Sequence, residues 1–337
     1  MEDLHDMKTG KRGQTSGRTV ILLAVLGAAA LGAMLFIGFA RFDLAHKFEL
    51  ISYTKISSAE DLASMRDDPN GNYVLTSDID MSGVEWEPFA FSGILDGDGH
   101  SINNLKITAE GSSKRDTYDG NMKVYETSFS GLFDVMENAE VRNLSFRGAD
   151  VEINSDSPVF VGIIAGYMSD SIIVNCTVEG TVYLRAHDRM FGVGGVIGYG
   201  CGVIQNVDAD VTLICVDTDS ETKDEQFMGG ICAAGYPDLT SCTVDIDGYG
   251  SEHGYAHNGG IIGMFRFYPE GTDHDGKITD NTVYGMITFF EDNDDRRAYC
   301  DPIVGECMEE LTYWYGNSQA FTVNEVFEYD VELLPED

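Results

Sequence analysis

The sequence predicts an all-β fold, a solenoid of stacked parallel coils, which follows one transmembrane helix at the N-terminus. Three observations support this prediction. A glycine-led motif recurs every 30 to 38 residues, a strand motif containing Asn follows its copies, and residues 19–40 contain no charged side chain. Repeats of this length are typical of solenoids, in which each repeat buries its apolar residues only by stacking on its neighbours.

The uncharged segment 19–40 predicts a transmembrane signal anchor. A helix of this length measures roughly 33 Å, enough to span a bilayer core of about 30 Å. Lys and Arg residues precede the segment without acidic neighbours close to it, so residues 1–18 are expected to form a short cytoplasmic tail and the rest to lie outside the cell. A cleavable signal peptide is the alternative, because Gly38 and Ala40 suit a cleavage site before Arg41.

Residues 41–56 are predicted to form a juxtamembrane stalk, and residues 57–92 an N-terminal cap with the first strands. Ser57 with Glu60, or Ser58 with Asp61, supplies a capping box that predicts a short helix. A cap is expected because the open edge of a solenoid would otherwise pair with other strands.

A four-residue motif of Gly, two apolar residues and a small or acidic residue predicts the β-helix repeats of residues 93–316. The copies begin at Gly93, Gly131, Gly162, Gly195, Gly230 and Gly260, and Asp301 to Gly305 forms a degenerate copy. A glycine before a strand allows a tight corner and a close approach between coils.

A second motif, apolar-x-Asn-apolar-x-apolar, lies about ten residues after each glycine. Its third-position residues are Asn104, Asn143, Asn175, Asn206, Ser241 and Asp280. The alternation predicts short strands, and stacked Asn side chains are expected to hydrogen-bond in a ladder along the coils. Residues 317–337 are predicted to form a C-terminal cap or tail.

These motifs resemble the GLUG-motif repeats of bacterial surface proteins. The stretch from Asn72 to Leu105 is similar to the segment that precedes such repeats, and the resemblance covers about residues 51–316. It implies a single-stranded right-handed parallel β-helix of the pectin-lyase-like type on a bacterial envelope, with adhesion or glycan binding as the usual role. The sequence departs from the family in one respect, since no copy is a verbatim Gly-Leu-x-Gly.

The chain is strongly acidic, with 57 Asp and Glu against 21 Lys and Arg and a formal net charge of −36. Such a surface repels phosphate, which excludes nucleic acid as a partner. Residues 41–337 hold 54 of the acidic and 17 of the basic residues, a net charge of −37, so all of the excess acid belongs to the domain that is expected to be exported.

Seven cysteines also lie in this exported part, where disulfides are permitted. Cys176 and Cys242 occupy inward positions of the repeat and are expected to be buried free thiols. Cys300 and Cys307 are the pair closest in sequence, and a bond between them is an open alternative.

Three pairs of acidic residues are candidate metal ligands: Asp96 with Asp98, Asp273 with Asp275, and Asp292 with Asp294. Carboxylate oxygens are preferred by Ca²⁺. However, Asp96-Gly97-Asp98-Gly99 is also a tight-turn sequence, and the segment around Asp273 lacks the carboxylates that an EF-hand needs at its first and twelfth positions. No cofactor is therefore expected, and Ca²⁺ remains the alternative.

Four tyrosines, Tyr199, Tyr236, Tyr249 and Tyr255, are candidate ligand-binding residues. Exposed aromatic rings present an apolar face and a polar edge, which suits sugars. The alternative is that these rings pack loops onto the coils. Acidic residues on or beside strands can also form a glycosidase pair, but their abundance singles out none. These residues are Glu179, Asp208, Asp210, Asp245 and Asp247.

The sequence thus predicts a single-pass bacterial cell-membrane protein, with a cytoplasmic N-terminus and an extracellular C-terminal β-helix. Its expected function is adhesion, or non-catalytic binding of a glycan or surface protein. One alternative is a polysaccharide lyase or glycosidase, and another is a structural spacer without a ligand.

Overall fold

The computed structural model describes residues 52–118, 124–186, 190–217, 225–250, 255–265, 276–290, 298–307, 314–315 and 318–326. The predicted membrane segment 19–40 and most of the predicted stalk lie outside these ranges. Among the described residues, none belongs to a helix long and apolar enough to cross a membrane.

The described residues form one short α-helix, one 3-10 helix and many strands, of which β15 and β17 are the longest. The helices are α1 at Ala59–Ser64 and the 3-10 helix at Met65–Asp67. The strands are β1 Thr54–Ile56, β2 Asn72–Leu75, β3 Ile79–Asp80, β4 Glu85–Trp86, β5 Phe89–Phe91, β6 Ile94–Asp96, β7 Ser101–Asn103, β8 Lys106–Ile107, β9 Lys114–Tyr118, β10 Val124–Ser130, β11 Phe133–Glu137, β12 Glu140–Arg142, β13 Ser145–Ser155, β14 Val159–Gly162, β15 Ala165–Ala186, β16 Met190–Gly194, β17 Ile197–Asp217, β18 Glu225–Gly229, β19 Cys232–Gly235, β20 Asp238–Thr240, β21 Thr243–Tyr249, β22 Tyr255–Gly259, β23 Ile262–Phe265, β24 Lys277–Thr279, β25 Thr282–Phe290, β26 Ala298–Asp301, β27 Val304–Cys307, β28 Trp314–Tyr315 and β29 Ser318–Val326.

Each coil passes through two sheets. The small sheet contains β9, β10, β14, β16, β18, β22 and β26, and the large sheet contains the other paired strands. In the large sheet each coil contributes three successive positions, which we call the first, second and third strips. In β15, for example, these are residues 165–169, 172–174 and 177–186. Equivalent strands of successive coils pair in parallel, which confirms an all-β solenoid.

A left-handed residue turns the chain from the second strip into the third. Asn143, Asn175, Asn206, Ser241 and Asp280 have φ between 52° and 58°. Asn and Asp adopt this conformation more readily than other residues that carry a Cβ, because their short side chains hydrogen-bond locally. The Asn motif therefore marks a corner of the coil.

The predicted Asn ladder is confirmed. Asn206 Nδ2 donates to Asn175 Oδ1 at 2.8 Å, and Asn175 Nδ2 donates to Asn143 Oδ1 at 3.3 Å. Asn143 Nδ2 then donates to Asp96 Oδ1 at 3.0 Å, so Asp96 begins the ladder. These bonds connect four successive coils on the outside of one corner.

The prediction that Gly93 and Asn104 are equivalent to the later copies of the two motifs is wrong. Leu95 pairs with Val141, so the strand after Gly93 belongs to the second strip and not to the first. Ile102 pairs with Phe146, so Asn104 turns the chain within the third strip. The cause is an insertion: residues 97–100 lie between these two strips in this coil, where the next coil has only residues 143–144.

The motif copy at Gly162 is displaced by one residue. Ala165 pairs with Ile197, so Gly166 is the true fourth-position residue and is equivalent to Gly198. A Cβ at Gly198 would lie 2.7 Å from the Gly166 carbonyl oxygen, and one at Gly263 would lie 2.6 Å from the Met228 carbonyl oxygen. At Gly198 and Gly263 a side chain would therefore require the backbone to shift, because neighbouring backbone atoms approach closely there. The equivalent position of an earlier coil holds the buried Asp134.

The core lies inside the coils. It consists of the inward side chains of the small sheet and of the three strips of the large sheet. Cys176 and Cys242 lie in it as predicted, 3% and 1% exposed, and neither is in a disulfide. Burial raises the pKa of Cys176 to about 12 and that of Cys242 to about 11, so both stay protonated and act as small apolar residues. Cys300 is also free.

The short helix predicted near the N-terminal end of the coils is present. Ser58 is the N-cap of α1 and accepts a hydrogen bond from the Asp61 backbone N–H at 3.2 Å, and Asp61 accepts from the Ser57 backbone N–H at 2.9 Å. Leu62 and Met65 are fully buried and close the first coil. At the other end, β29 pairs with β25, so the repeats extend beyond the predicted boundary at residue 316.

We expect substitutions of Asn175 to separate the two roles of the ladder residues. Asn175→Gly keeps the left-handed turn but loses two ladder hydrogen bonds, which lowers the free energy of unfolding by about 1 to 2 kcal/mol. Asn175→Ala adds a left-handed backbone penalty of about 1 kcal/mol. Urea unfolding followed by circular dichroism measures both. A Gly variant as stable as the unmodified chain would show that the ladder contributes nothing.

Candidate functional site

The third strip presents a solvent-facing sheet surface, which we call the ladder face. Val178, Val182 and Leu184 point into the core, so the residues between them point outward. The outward residues of β15, β17, β21 and β25 define the ladder face. Coil by coil they are Thr177, Glu179, Thr181, Tyr183 and Arg185; Asp208, Asp210, Thr212, Ile214 and Val216; Thr243, Asp245, Asp247 and Tyr249; and Thr282, Tyr284 and Met286.

An acidic column runs along the ladder face. Glu179, Asp210 and Asp245 pair in register on three successive coils, and all three are exposed. Neighbouring coils are about 4.8 Å apart, and like charges directly opposite each other destabilise a sheet. The next residue of the column is Tyr284, whose side chain is 44% exposed. The column therefore holds negative charge that a cationic group can offset.

A tyrosine column runs parallel to the acidic column. Tyr183, Ile214 and Tyr249 pair in register, and all three are half-buried. The guanidinium of Arg185 lies 6.0 Å from the ring centre of Tyr183 and donates to its hydroxyl oxygen. Tyr249 donates its hydroxyl to Asp247 Oδ2 at 3.2 Å. Burial and the nearby Asp247 charge raise the pKa of Tyr249, so its phenol stays neutral.

Between the two columns lies a third row of outward side chains, Thr181, Thr212 and Asp247. Each is two residues from the flanking columns, about 7 Å along the strand. Thr181 and Thr212 are shorter than the Glu, Asp, Tyr and Ile side chains beside them, so on these two coils the row forms the floor of a shallow furrow. On the next coil the row holds Asp247, which is as large as Asp245 and accepts a hydrogen bond from Tyr249. The furrow crosses the strands and follows the direction in which the coils stack.

The surface roles predicted for Tyr199 and Tyr236 are wrong, because these side chains are only 5% and 9% exposed. Tyr199 packs on Phe160 at 5.1 Å and stacks on Tyr167 at 6.2 Å, between ring centres. Burial and a hydrogen bond with Cys201 raise the pKa of Tyr236. Tyr249 lies on the ladder face, and the side chain of Tyr255 lies outside the described part of the structure.

Tyr199, on β17, is buried in a second apolar cluster, which it forms with side chains from the outer side of the small sheet. Val159 and Val161 face the core, so Phe160 between them faces away from it and joins this cluster. Phe160 and Phe227 belong to strands on either side of β16 and yet stack at 5.7 Å, because Gly192 between them has no side chain. The small sheet is thus buried on both sides, and it offers no aromatic surface to a ligand at these positions.

The first pair of metal candidates forms a turn. Asp96 Oδ2 accepts from Arg142 Nε at 2.8 Å, and Asp96 Oδ1 accepts from the Asp98 backbone N–H at 3.0 Å. Asp98 is left-handed, with φ 47°. The Asp96 carboxylate is therefore fully engaged by protein donors, as the tight-turn alternative requires.

No group of three or more His, Cys, Asp or Glu side chains suited to a metal ion occurs among the described residues. The other metal candidates, Asp273, Asp275, Asp292 and Asp294, lie outside these residues.

The Asp96 carboxylate is held by a cluster centred on Arg142. The guanidinium also donates to Glu140 Oε1 at 2.7 Å and to the Tyr53 hydroxyl oxygen at 2.8 Å. Burial disfavours the charged Asp96, but hydrogen bonds from Asn143, the Asp98 amide and Arg142 outweigh it and hold the pKa of Asp96 below its usual value. This cluster joins the first coils to the chain at Tyr53.

Sequence reasoning missed Tyr183 and Tyr284, although a signal for both was present. Tyr183 lies eight residues after Asn175, as Tyr249 lies eight residues after Ser241. Tyr284 lies four residues after Asp280, the offset at which Glu179 follows Asn175. Counting from the left-handed corner would have placed these residues on one outward face.

No family model matches this chain. Halomucin of Haloquadratum walsbyi (strain DSM 16790 / HBSQ001) is 32% identical over 169 residues, which is 45% of this chain and 2% of halomucin. The chain therefore spans a very small part of this curated relative.

Two solved structures are similar to this chain. A crystal structure of a Bacteroides ovatus protein, provisionally assigned as an immunoglobulin A1 protease, covers 80% of this chain and 84% of its own, with a TM-score of 0.48 and 18% identity. A structure of IgA1 Protease covers 82% of this chain and 20% of its own, with a TM-score of 0.51 and 15% identity. The latter similarity supports the fold.

We expect stability to fall in acid because of Asp96 and similar carboxylates. Hydrogen bonds also hold the pKa of Asp61, Asp78 and Asp80 below the usual value. Their contribution is complete above the unfolded-state pKa of about 3.9 and is lost as the pH falls through the lower folded-state pKa. Asp96→Asn should lower stability at neutral pH and flatten this decline, as measured by urea unfolding between about pH 7 and pH 2.

The matched control is Asp67→Asn, which removes a charge from an exposed residue of the 3-10 helix. It should leave the acid decline unchanged. A decline equally steep in Asp96→Asn and in the unmodified chain would contradict the role of Asp96.

We expect Asp210→Asn to stabilise the protein at low ionic strength. Asp210 lies between Glu179 and Asp245 in the acidic column, so its neutral replacement relieves two repulsive contacts and raises the melting temperature by about 2 °C. At a salt concentration near 1 M the Debye length is about 3 Å, so the repulsion is screened and the increase in melting temperature should disappear. Thermal melts at both salt concentrations test this, and an equal gain in Asp67→Asn would show a net-charge effect instead.

Proposed function

We propose that this chain is a membrane-anchored bacterial surface protein that binds an extracellular glycan without catalysis. Residues 19–40 support a single membrane span with a cytoplasmic N-terminus. The repeat motifs support membership of the GLUG-type surface proteins and, with it, right-handed winding of the parallel β-helix. The proposal needs no cofactor.

The observation that carries this proposal is the ladder face. Its tyrosine column offers half-buried rings held in place by the sheet, and its acidic column offers exposed carboxylates. Sugars combine apolar ring faces with hydroxyl donors, so they match rings beside charged acceptors. Because the face is built on paired strands, little side-chain or backbone freedom is lost when a ligand binds.

The arrangement of carboxylates favours binding over catalysis. Acid–base catalysis by two carboxylates requires environments that push their pKa values apart. Glu179, Asp210 and Asp245 instead lie on equivalent positions of successive coils, exposed on the same face. Such a column repeats one environment and sets no residue apart as the acid or the base.

A retaining glycosidase is the second candidate. Its two carboxyl groups lie about 5 Å apart, which is close to the spacing of neighbouring coils of about 4.8 Å. Neighbours in the acidic column, such as Asp210 and Asp245, match this separation in principle. Product analysis separates this candidate from simple binding.

The test uses the full chain in detergent on a glycan array, with mass spectrometry of the supernatant. We expect retention of at least one glycan, no shortened or unsaturated product, and no effect of EDTA. Tyr249→Ala should weaken binding up to about tenfold, because it removes a ring from the tyrosine column. Tyr249→Phe keeps the ring, loses only the hydrogen bond to Asp247 and should retain most of the affinity.

Other outcomes would contradict the proposal. Product release that Asp210→Asn abolishes would establish the glycosidase. Loss of binding in EDTA would establish a need for Ca²⁺, and an absence of binding to every glycan would favour a spacer.

A further inference from the structure

We infer that the ladder face selects glycans that carry free amino groups and aligns them along the furrow between its two columns. This inference rests on the proposed glycan binding and specifies the class of ligand. It uses three properties of the face: the sign of its charge, the form of the furrow and the in-register repeat of its walls.

The charge of the face favours a cationic ligand. Five carboxylates project from it and all are exposed: Glu179, Asp208, Asp210, Asp245 and Asp247. The cation among the outward residues of these strands, Arg185, lies at one end and bonds to Tyr183. A polyuronate would meet this field with like charge, whereas an amino sugar would meet opposite charge.

The acidic column also provides a specific gain for a bound cation. Glu179, Asp210 and Asp245 repel one another in the free protein because they lie opposite each other on adjacent coils. Ammonium groups placed along this column would offset that repulsion as well as gain direct attraction. A neutral sugar gains only hydrogen bonds from the same carboxylates.

The furrow fits an extended chain that crosses the strands. The threonine hydroxyls of its floor, Thr181 and Thr212, can donate and accept hydrogen bonds. Its acidic wall repeats on successive coils, whereas the rings of Tyr183 and Tyr249 in the other wall are two coils apart, roughly 10 Å, with Ile214 between them. A linear polymer lying in the furrow would therefore meet a carboxylate on each coil on one side and two rings about 10 Å apart on the other.

A lysine-rich peptide is the competing cationic partner, and the tyrosine column argues against it. A lysine side chain gains from the acidic wall and makes at most a cation–π contact with a tyrosine ring, while a pyranose ring also covers the rings of Tyr183 and Tyr249 with an apolar face. Dependence on Tyr249 therefore distinguishes an amino glycan from a partner recognised by charge alone.

The test measures binding of the full chain in detergent to four soluble probes by isothermal titration calorimetry. The probes are a β-1,4-linked glucosamine hexamer, its N-acetylated counterpart, a galacturonic acid hexamer and hexalysine. We expect the glucosamine hexamer to bind at least about tenfold more tightly than the N-acetylated one, and the galacturonic acid hexamer not to bind. The preference should shrink as salt is raised.

Variants assign the effect to the ladder face. Asp210→Asn and Asp245→Asn should each weaken binding of the glucosamine hexamer by about fivefold, and that of the N-acetylated hexamer by no more than about twofold, because Asn keeps an acceptor oxygen. Asp67→Asn, the matched control away from this face, should change neither. Melting temperatures no lower than that of the unmodified chain confirm that each variant is folded.

Three results would overturn the inference. Equal binding of the two glucosamine-based hexamers would remove the amino group as a determinant while leaving glycan binding intact. Hexalysine binding as tight as that of the glucosamine hexamer, and unaffected by Tyr249→Ala, would indicate a cationic protein partner. Failure of every glycan to bind would overturn the proposed function as well.

Discussion

The parallel register between successive coils is the constraint on which the rest of this structure depends. Each strand satisfies its backbone hydrogen bonds only against the coils before and after it, at a spacing of about 4.8 Å. A residue at one position of a coil therefore lies directly against its equivalents. The consequence is a set of columns, such as Leu144, Cys176, Val207 and Cys242 inside and Asn143, Asn175 and Asn206 at a corner.

The same stacking arranges the outward side chains in columns of like residues. The carboxylates of the acidic column repel one another, and Tyr183, Ile214 and Tyr249 form a half-buried apolar column, because the register fixes which side chains are neighbours. The acidic composition of the chain thus becomes an ordered charge pattern on the ladder face. The buried aromatic cluster of the small sheet arises in the same way, with Gly192 creating the space in which Phe160 and Phe227 meet.

Much of the fold was predictable from local signals. The capping box at Ser58, the left-handed Asn residues and the buried thiols each depend on a few neighbouring residues. The predictions were wrong where the register between coils determines which residues are equivalent. Residues 97–100 shift the first coils relative to the later ones, and Gly162 differs from its true equivalent by one position, which alternation alone does not reveal. Tyr199 was misplaced because a strand buried on both sides has no polar face to mark it.

By itself the sequence determined the fold class, the uncharged segment 19–40, the corner residues and the excess of acid. These follow from composition and from patterns only a few residues long. Only the tertiary structure decided which acids and tyrosines share a face, and it placed Tyr183 with Tyr249 and Glu179 with Asp210 and Asp245. The physical reason is that such neighbours are separated by more than thirty residues in sequence, and only the pairing of coils brings them together.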